Sequence, residues 1–278
     1  MSFIETAIKK IQASGLAPPA VAPLPTPGQP AGRRTKSQAR PDAPAPQNVR
    51  KFTSATIDTT VMERNCVLPQ VSDQSALRSY KILRTRLLQR LTANQWSSLA
   101  VTGTESGEGK TLTAINLAIA LAQDPSTYVF LVDLDLQRPQ LATLLGMQFA
   151  KGLGDYLLGE AEIDDIIYDA GAERLAVIPN ARTFEHSSEL LASDRMLRLE
   201  HVLKTEVPKR ILIYDMPPLL MSDDVLTFAP QVDGLLLVVS EGLTARSSVE
   251  RAKEILSEMN LVGVVLNRSA ERNDSAYY

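Results

Sequence analysis

From about residue 70 onward, short apolar runs alternate with longer segments in which apolar residues recur at helical spacing. The apolar runs have the length of β-strands, and the segments between them have the period of amphipathic helices. The predicted strands cover residues 98–102, 128–132, 175–179, 210–214, 234–240 and 261–267. The predicted helices cover residues 72–92, 110–123, 139–145, 164–169, 188–204 and 245–260.

This alternation predicts an α/β fold. Continuously apolar strands are typical of a sheet that is buried on both faces, and helices between them make right-handed crossovers between parallel strands. We therefore expect a doubly wound, mostly parallel sheet with helices on both faces. Ligands of such sheets bind outside the carboxyl ends of the strands, where functional side chains are expected to gather.

The first seventy residues have a different pattern. Apolar residues from Phe3 to Ile11 recur at helical spacing, which predicts a short amphipathic helix over residues 1–15. Nine of the 17 prolines then lie between residues 18 and 46, which predicts a disordered Pro-rich linker over residues 16–70. One interpretation of this helix is a tether that docks on a partner or lies in a membrane interface. The other is a marginal helix without a role.

Composition and charge narrow the classes of function. The formal net charge of −3 gives no general attraction to nucleic acid, so no nucleic-acid partner is expected. Cys66 is the only cysteine, which excludes an intrachain disulfide framework and fits a cytoplasmic protein. No apolar run approaches the ~20 residues that span a bilayer, so a position at a membrane would depend on a partner.

A glycine-containing turn between a predicted strand and a predicted helix carries the first chemical signal. Gly109, Lys110 and Thr111 match the end of a P-loop, in which backbone N–H groups and the helix N-terminus surround phosphate. Lys110 would bridge the β- and γ-phosphates, and the Thr111 hydroxyl would bind Mg²⁺, so ATP and Mg²⁺ are the predicted ligands. The predicted nucleotide-binding residues here are Glu105, Ser106, Gly107, Glu108, Gly109, Lys110, Thr111 and Leu112.

Two further predicted strands end in acidic residues. Asp133 and Asp135 follow the second strand, and Asp215 follows the apolar run RILIY in the form of a Walker B acid. Such acids suit a hard cation or proton acceptance from a hydroxyl group. An aspartate before Pro139 could instead cap a helix, but three strands that end in phosphate-binding or acidic residues favour a catalytic site.

These motifs resemble the deviant Walker ATPases, and within them the bacterial tyrosine kinases of capsule and exopolysaccharide export. The resemblance covers about residues 77–267 and includes the family's second Asp-x-Asp motif at Asp133 and Asp135. It divides the chain further into a P-loop kinase domain at 71–268 and a flexible tyrosine-bearing tail at 269–278. The nearest subgroup is the free-standing cytoplasmic type, with the exosortase-associated branch as one possibility.

The resemblance implies an ATP-dependent tyrosine autokinase that phosphorylates C-terminal tyrosines in trans and regulates capsule or exopolysaccharide biosynthesis or export. It assigns Lys110 to the phosphates, Thr111, Asp133 and Asp215 to the metal, Asp133 also to the substrate hydroxyl, and Asn267 to the adenine edge. The phosphoacceptors would be Tyr277 and Tyr278. It further implies self-association, an activating membrane-bound polysaccharide co-polymerase or chain-length regulator, a cognate phosphatase, and a cytoplasmic location at the inner membrane.

The chain departs from the family pattern at several positions. Thr104 stands at the usual first glycine of the P-loop, Gln137 at a usual arginine, and Met216 at a usual small hydroxyl residue. The family's Glu-x-x-Arg-x-x-Arg oligomerisation element would fall at Arg78, Lys81 and Arg84. Arg78 therefore stands at the acidic position with the opposite charge.

Two other functions remain open at this point. A ParA- or MinD-like ATPase switch would carry a signature lysine early in the P-loop, whereas this chain has Thr104, Glu105 and Ser106 there. A non-catalytic ATP-binding partner of a polysaccharide export complex would tolerate Gln137 and Met216.

Overall fold

A computed structural model describes residues 52–70, 73–171 and 174–269 of this protein. The predicted helix over residues 1–15, most of the predicted linker, and the tail with Tyr277 and Tyr278 lie outside the described residues. Across the described ranges, no helix combines the length and the apolar character needed to cross a membrane.

The centre of the fold is an eight-stranded sheet with the order β1-β6-β7-β4-β8-β3-β9-β10. Neighbouring strands pair in parallel except for β6 and β7, which are antiparallel. A separate pair, β2 and β5, is antiparallel. The strands are β1 Thr53–Ser54, β2 Thr56–Ile57, β3 Ser98–Gly103, β4 Tyr128–Asp133, β5 Met147–Gln148, β6 Tyr168–Asp169, β7 Leu175–Ile178, β8 Arg210–Asp215, β9 Gly234–Ser240 and β10 Leu261–Asn267.

Helices cover both faces of the sheet. The α-helices are α1 Thr59–Arg64, α2 Gln74–Asn94, α3 Lys110–Ala122, α4 Leu141–Leu145, α5 Leu153–Leu157, α6 Ile163–Ile166, α7 Ser187–Leu191, α8 Asp194–Glu206, α9 Asp224–Phe228 and α10 Arg246–Ile255. Short 3₁₀ turns at Ala229–Gln231 and Leu256–Glu258 follow α9 and α10.

Alternate residues of the central strands supply two apolar cores. On β4, Val129 and Leu131 pack on one face with α2 and α3, whereas Phe130 and Val132 pack on the other face with α8 and α9. Because successive side chains of a strand point to opposite faces, a strand that is buried on both sides must be apolar throughout. The predicted mostly parallel sheet with helices on both faces is therefore confirmed.

Several predicted helices are shorter than predicted, and one is interrupted. The segment 188–204 forms α7 and α8, separated at Ser193, whose hydroxyl donates to Leu190 O and accepts from Met196 N. Serine is favoured at this position because its side chain accepts a hydrogen bond from a free N–H group of the next helix. The segment 164–169 is helical only up to Ile166 and then forms strand β6.

The end of the predicted disordered linker differs from the prediction. Residues 53–64 form β1, β2 and α1, and Met62, Val67 and Leu68 are buried in the core beside α3. Asn116 of α3 holds this segment: its amide accepts from Leu68 N at 2.8 Å and donates to Cys66 O at 3.1 Å. The ordered domain therefore begins before residue 70, although no long periodic pattern marks its first elements.

Replacing Asn116 by Ala is expected to lower the free energy of unfolding by about 2 kcal/mol, because it leaves the buried N–H of Leu68 without a partner and also removes the part-buried hydrogen bond to Cys66 O. The loss is measured by urea denaturation followed by circular dichroism. Asn65→Ala is the matched control, since it removes a single hydrogen bond to Leu144 O and should cost about 1 kcal/mol or less. An Asn116 variant that is no less stable than the control would contradict the role of this clamp.

Candidate active site

The phosphate loop lies where the sequence places it, between β3 and α3. The first helical residue is Lys110, and Gly109 before it has φ of 88°. Only glycine adopts this backbone conformation without strain, and a Cβ atom here would also collide with the side-chain amide of Asn267. Gly109 therefore allows the end of β10 to approach the loop closely.

A cleft of about 330 Å³ opens beside this loop at the carboxyl edge of the sheet. Its walls come from the phosphate loop, the segment after β4, the segment after β8, and the residue after β10. The lining residues are Ser106, Gly107, Gly109, Lys110, Thr111, Leu112, Asp135, Gln137, Arg138, Gln140, Leu144, Pro217, Pro218, Met221, Ser222 and Arg268. This position agrees with the rule that ligands bind at the carboxyl ends of parallel strands.

Lys110 is held in the cleft by Asp135. Its Nζ lies 2.7 Å from Asp135 Oδ2 and 3.4 Å from Thr111 Oγ1. Burial alone would lower the pKa of this ammonium group, but Asp215, Asp135 and Asp133 together keep the pKa above its usual value. The positive charge is therefore secured at the place where a P-loop binds phosphate.

Asp133 and Asp215 face each other across the parallel pair of β4 and β8, and both are fully buried. Burial, and then the neighbouring carboxyl groups Asp215 and Asp135, raise the pKa of Asp133 well above its usual value. Burial also raises the pKa of Asp215 to about 6, against the opposing effect of Lys110. Two buried acids at one position favour either a shared proton or a bound cation.

The oxygen atoms of the two acids are not equally satisfied. Asp133 accepts from Asp135 N and from Leu141 N, both at 3.2 Å, so it also caps the start of α4. Both carboxylate oxygens of Asp215 lack a hydrogen-bond partner among the described residues. The Thr111 hydroxyl lies near enough to lower the pKa of Asp215 without meeting hydrogen-bond geometry.

These observations fit a magnesium ion that is held jointly with a nucleotide. Buried acceptor oxygens on Asp215 beside a threonine hydroxyl are hard oxygen ligands, and Mg²⁺ in nucleotide sites takes one or two such protein ligands together with phosphate and water. In keeping with this, no group of three or more histidine, cysteine or acidic side chains in the described ranges forms a metal site by itself. Thr111, Asp133 and Asp215 remain the predicted metal ligands.

Asn267 and the two glutamates of the loop lie outside the walls of the cleft. Asn267 Nδ2 donates to Glu108 O at 2.9 Å, and its Oδ1 accepts from Arg268 N at 2.9 Å. The N–H group of Glu105 donates to the side chain of Glu108 at 3.0 Å. The adenine contact of Asn267 and the phosphate contact of Glu105 therefore stay predictions, and both groups already have partners.

The structure adds polar residues that the sequence did not single out as contacts. Gln137 Nε2 donates to Ser187 Oγ at 3.2 Å and to Ser222 Oγ at 3.0 Å, and Ser187 Oγ donates to buried Asp224. Gln137 thus fills the position of the family's usual arginine with a neutral group that has its own partners. Arg138 and Arg268 provide further cations in the wall of the cleft.

Met216 does not alter the chemistry of the cleft. Its side chain is fully buried in the core beneath the sheet, together with Tyr214 and Leu219. Its N–H group donates to Val101 O at 2.9 Å, which holds the segment after β8 against β3. The methionine at this position therefore packs away from the site.

Residues 99–277 match the CobQ/CobB/MinD/ParA nucleotide binding domain, and the chain belongs to that family. Its relatives are bacterial tyrosine-protein kinases by name. This chain is 28% identical over 221 residues to YwqD of Bacillus subtilis, and the aligned region covers 78% of this chain and 92% of YwqD. It is 29% identical over 195 residues to CpsD of Streptococcus agalactiae, and the aligned region covers 69% of this chain and 82% of CpsD.

Solved structures agree with the sequence comparison. The kinase domain of Escherichia coli tyrosine kinase ETK superposes with a TM-score of 0.63 at 28% sequence identity. The match covers 73% of this chain and 80% of that domain. The predicted resemblance to bacterial tyrosine kinases is thereby confirmed, and so is the P-loop NTPase fold.

Asp133→Asn is expected to stabilise the free protein at alkaline pH. The raised pKa of Asp133 means that the folded state keeps a proton that the unfolded state releases, so the free energy of unfolding declines as pH rises from about 4 through the folded pKa. The asparagine variant lacks this decline. Its Tm at pH 8 without nucleotide or Mg²⁺ should be about 2–4 °C above that of the wild type.

Thermal melts at pH 5 and pH 8 test this expectation, and the difference in Tm should narrow at the lower pH. Asp135→Asn is the matched control: it deprives Lys110 Nζ of its ion-pair partner and should lower Tm. If Asp133→Asn were the less stable protein at both pH values, the account of a repulsive buried pair would be wrong.

Proposed function

We propose that this protein is an ATP-dependent protein-tyrosine autokinase, with Mg²⁺ as its metal and its own C-terminal tyrosines as acceptors. The observation that carries the proposal is the meeting of Lys110 with Asp133, Asp135 and Asp215 at the phosphate loop. The kinases to which the chain is similar support this reaction over hydrolysis alone. The missing lysine early in the loop also separates the chain from the partitioning ATPases.

Each residue of the site has a distinct task in this reaction. Amide groups from Ser106 to Thr111 and the ammonium group of Lys110 would hold the phosphates and offset the charge on the transferred phosphoryl group. Thr111, Asp133 and Asp215 would hold Mg²⁺, which supplies charge stabilisation when bound. Asp133 or Asp135 would orient the tyrosine hydroxyl and accept its proton.

The transfer itself is a simple exchange of oxygen–phosphorus bonds. The tyrosine oxygen forms a bond to the γ-phosphorus while the bond from that phosphorus to the β–γ bridging oxygen breaks, and ADP leaves with that oxygen. The phenolic proton passes to the aspartate. Because such a transfer depends mainly on positioning and electrostatic stabilisation, the few residues in this cleft suffice.

The proposal extends to the cellular setting. Kinase action on Tyr277 and Tyr278 in trans requires self-association, and each phosphate adds about −1.5 to −2 charges that would oppose it. Assembly and dispersal would then regulate the production or export of capsule or exopolysaccharide. A membrane-bound co-polymerase would activate the protein and bring it from the cytoplasm to the inner membrane, and a phosphatase would reset it.

Incubation with ATP and Mg²⁺ followed by mass spectrometry is the direct test. We expect phosphate on Tyr277 or Tyr278, and a loss of at least about a hundredfold in Lys110→Ala because the main positive charge at the phosphates is removed. The reaction is run with and without the cytoplasmic segments of the co-polymerase. Absence of phosphotyrosine under both conditions would overturn the kinase proposal.

A variant of the tail tests which tyrosines accept the phosphate. Replacing both Tyr277 and Tyr278 by Phe should abolish phosphorylation of the tail while nucleotide binding stays unchanged, because neither tyrosine belongs to the phosphate loop. Binding is measured by titration with a fluorescent ADP analogue. Unchanged phosphate incorporation in this variant would show that the acceptors lie elsewhere in the chain.

A further inference from the structure

The side chain of Glu108 is buried within the phosphate loop, with 1% of its surface exposed. Its Oε2 accepts from Thr104 N at 2.5 Å and from Glu105 N at 3.0 Å. Its Oε1 accepts from the hydroxyl groups of Thr104 and Thr244, the latter at 2.5 Å. Four donors therefore surround one acidic side chain that does not line the cleft.

The space for this side chain is provided by its neighbours in the loop. A Cβ atom on Gly103 would collide with Glu108 Oε2, so the glycine at the end of β3 keeps that position open. Thr104, which replaces the usual first glycine of the loop, supplies two of the four donors. The departure at position 104 and the burial of Glu108 thus belong to the same arrangement.

Thr244 connects this arrangement to the segment between β9 and α10. It lies between β9 and α10, and its hydroxyl accepts from Ser240 N at 2.8 Å while it donates to Glu108. A second connection runs from Ser248 Oγ of α10 to Glu105 Oε1 at 2.5 Å. The first half of the phosphate loop is therefore fixed to the start of α10 as well as to its own strand.

These contacts divide the amide groups of the loop into two sets. The N–H groups of Thr104 and Glu105 are already donated to Glu108, so the groups left for a nucleotide begin at Ser106. An amide cluster of this kind would otherwise attract the anionic ligand itself. Glu108 thereby occupies the N–H groups that a phosphate would otherwise contact at the start of the loop.

We infer that Glu108 and Thr244 are positioning residues of the phosphate loop, and that they set its affinity for nucleotide through the bridge Thr104–Glu108–Thr244. The inference deepens the proposed function, since it concerns the nucleotide subsite of the same site. Neither side chain is required to touch the nucleotide. Their effect acts through the backbone of residues 104–109, in which the N–H groups from Ser106 onward are left for a nucleotide.

Thr244→Val tests the bridge with a side chain of nearly the same shape that has no hydroxyl group. Affinity for a fluorescent ADP analogue should fall about tenfold or more, because a hydrogen bond to a carboxylate is lost inside the loop. Thr244→Ser keeps the hydroxyl and should restore affinity to within about threefold of the wild type. Thr205→Val, on the exposed face of α8, is the matched control.

Glu108→Gln supplies a second variant should Thr244→Val fail to fold. It replaces an acceptor by an amide whose NH₂ group faces donors, so nucleotide affinity should fall at least as far as in Thr244→Val. Tm without nucleotide is measured for every variant. A loss of affinity that Thr244→Ser restores, at an unchanged Tm, supports the inference.

Two results would overturn the inference. One is affinity within twofold of the wild type in both Thr244→Val and Glu108→Gln. The other is an equal loss in Thr244→Ser or in Thr205→Val, which would indicate a general effect of mutation. The readout of this test is nucleotide binding, so its failure is distinguishable from failure of the kinase proposal. The kinase proposal would fail if the wild-type protein bound ADP without forming phosphotyrosine.

Discussion

At the carboxyl edge of the sheet, the ammonium group of Lys110 lies among Asp133, Asp135 and Asp215, and this charge balance depends on strand register. Parallel pairing of β4 with β8 puts Asp133 opposite Asp215, and the turn after β3 brings Lys110 up to Asp135 at 2.7 Å. A slip of one residue in either strand would turn its acid to the other face of the sheet. The apolar residues that fix the register, on both faces, therefore also fix the chemistry.

The same arrangement makes the site electrostatically unfavourable when it holds no ligand. Asp133 and Asp215 are buried together and their pKa values are raised, so their approach costs free energy that a cation would recover. A site with an unfavourable charge arrangement before its ligand arrives gains selectivity for that ligand. Stability and function oppose each other here, as is common where acids are gathered for catalysis.

The sequence predicted the central strands because continuous burial requires continuous apolar character, and β9 and β10 agree with the prediction at both ends. It missed β1 and β2, since strands of two residues have no period to detect. It predicted Lys110 and the three aspartates as site residues from residue type and position after a strand, and these side chains do lie together in the structure. It could not find the contact of Glu108 with Thr244, because the two residues are 136 positions apart and only the order of strands brings them together.

The clamp formed by Asn116 has a mechanical meaning. Cys66 and Leu68 are fastened to the middle of α3, the helix whose first turn carries Lys110 and Thr111. A pull on the chain before residue 52 would first load the pairing of β1 with β6 and of β2 with β5, and would reach α3 only afterwards, through the clamp. The strand pairs therefore shield the helix that carries Lys110 and Thr111 from forces on the preceding chain, and the clamp ties that helix to the ordered N-terminal segment.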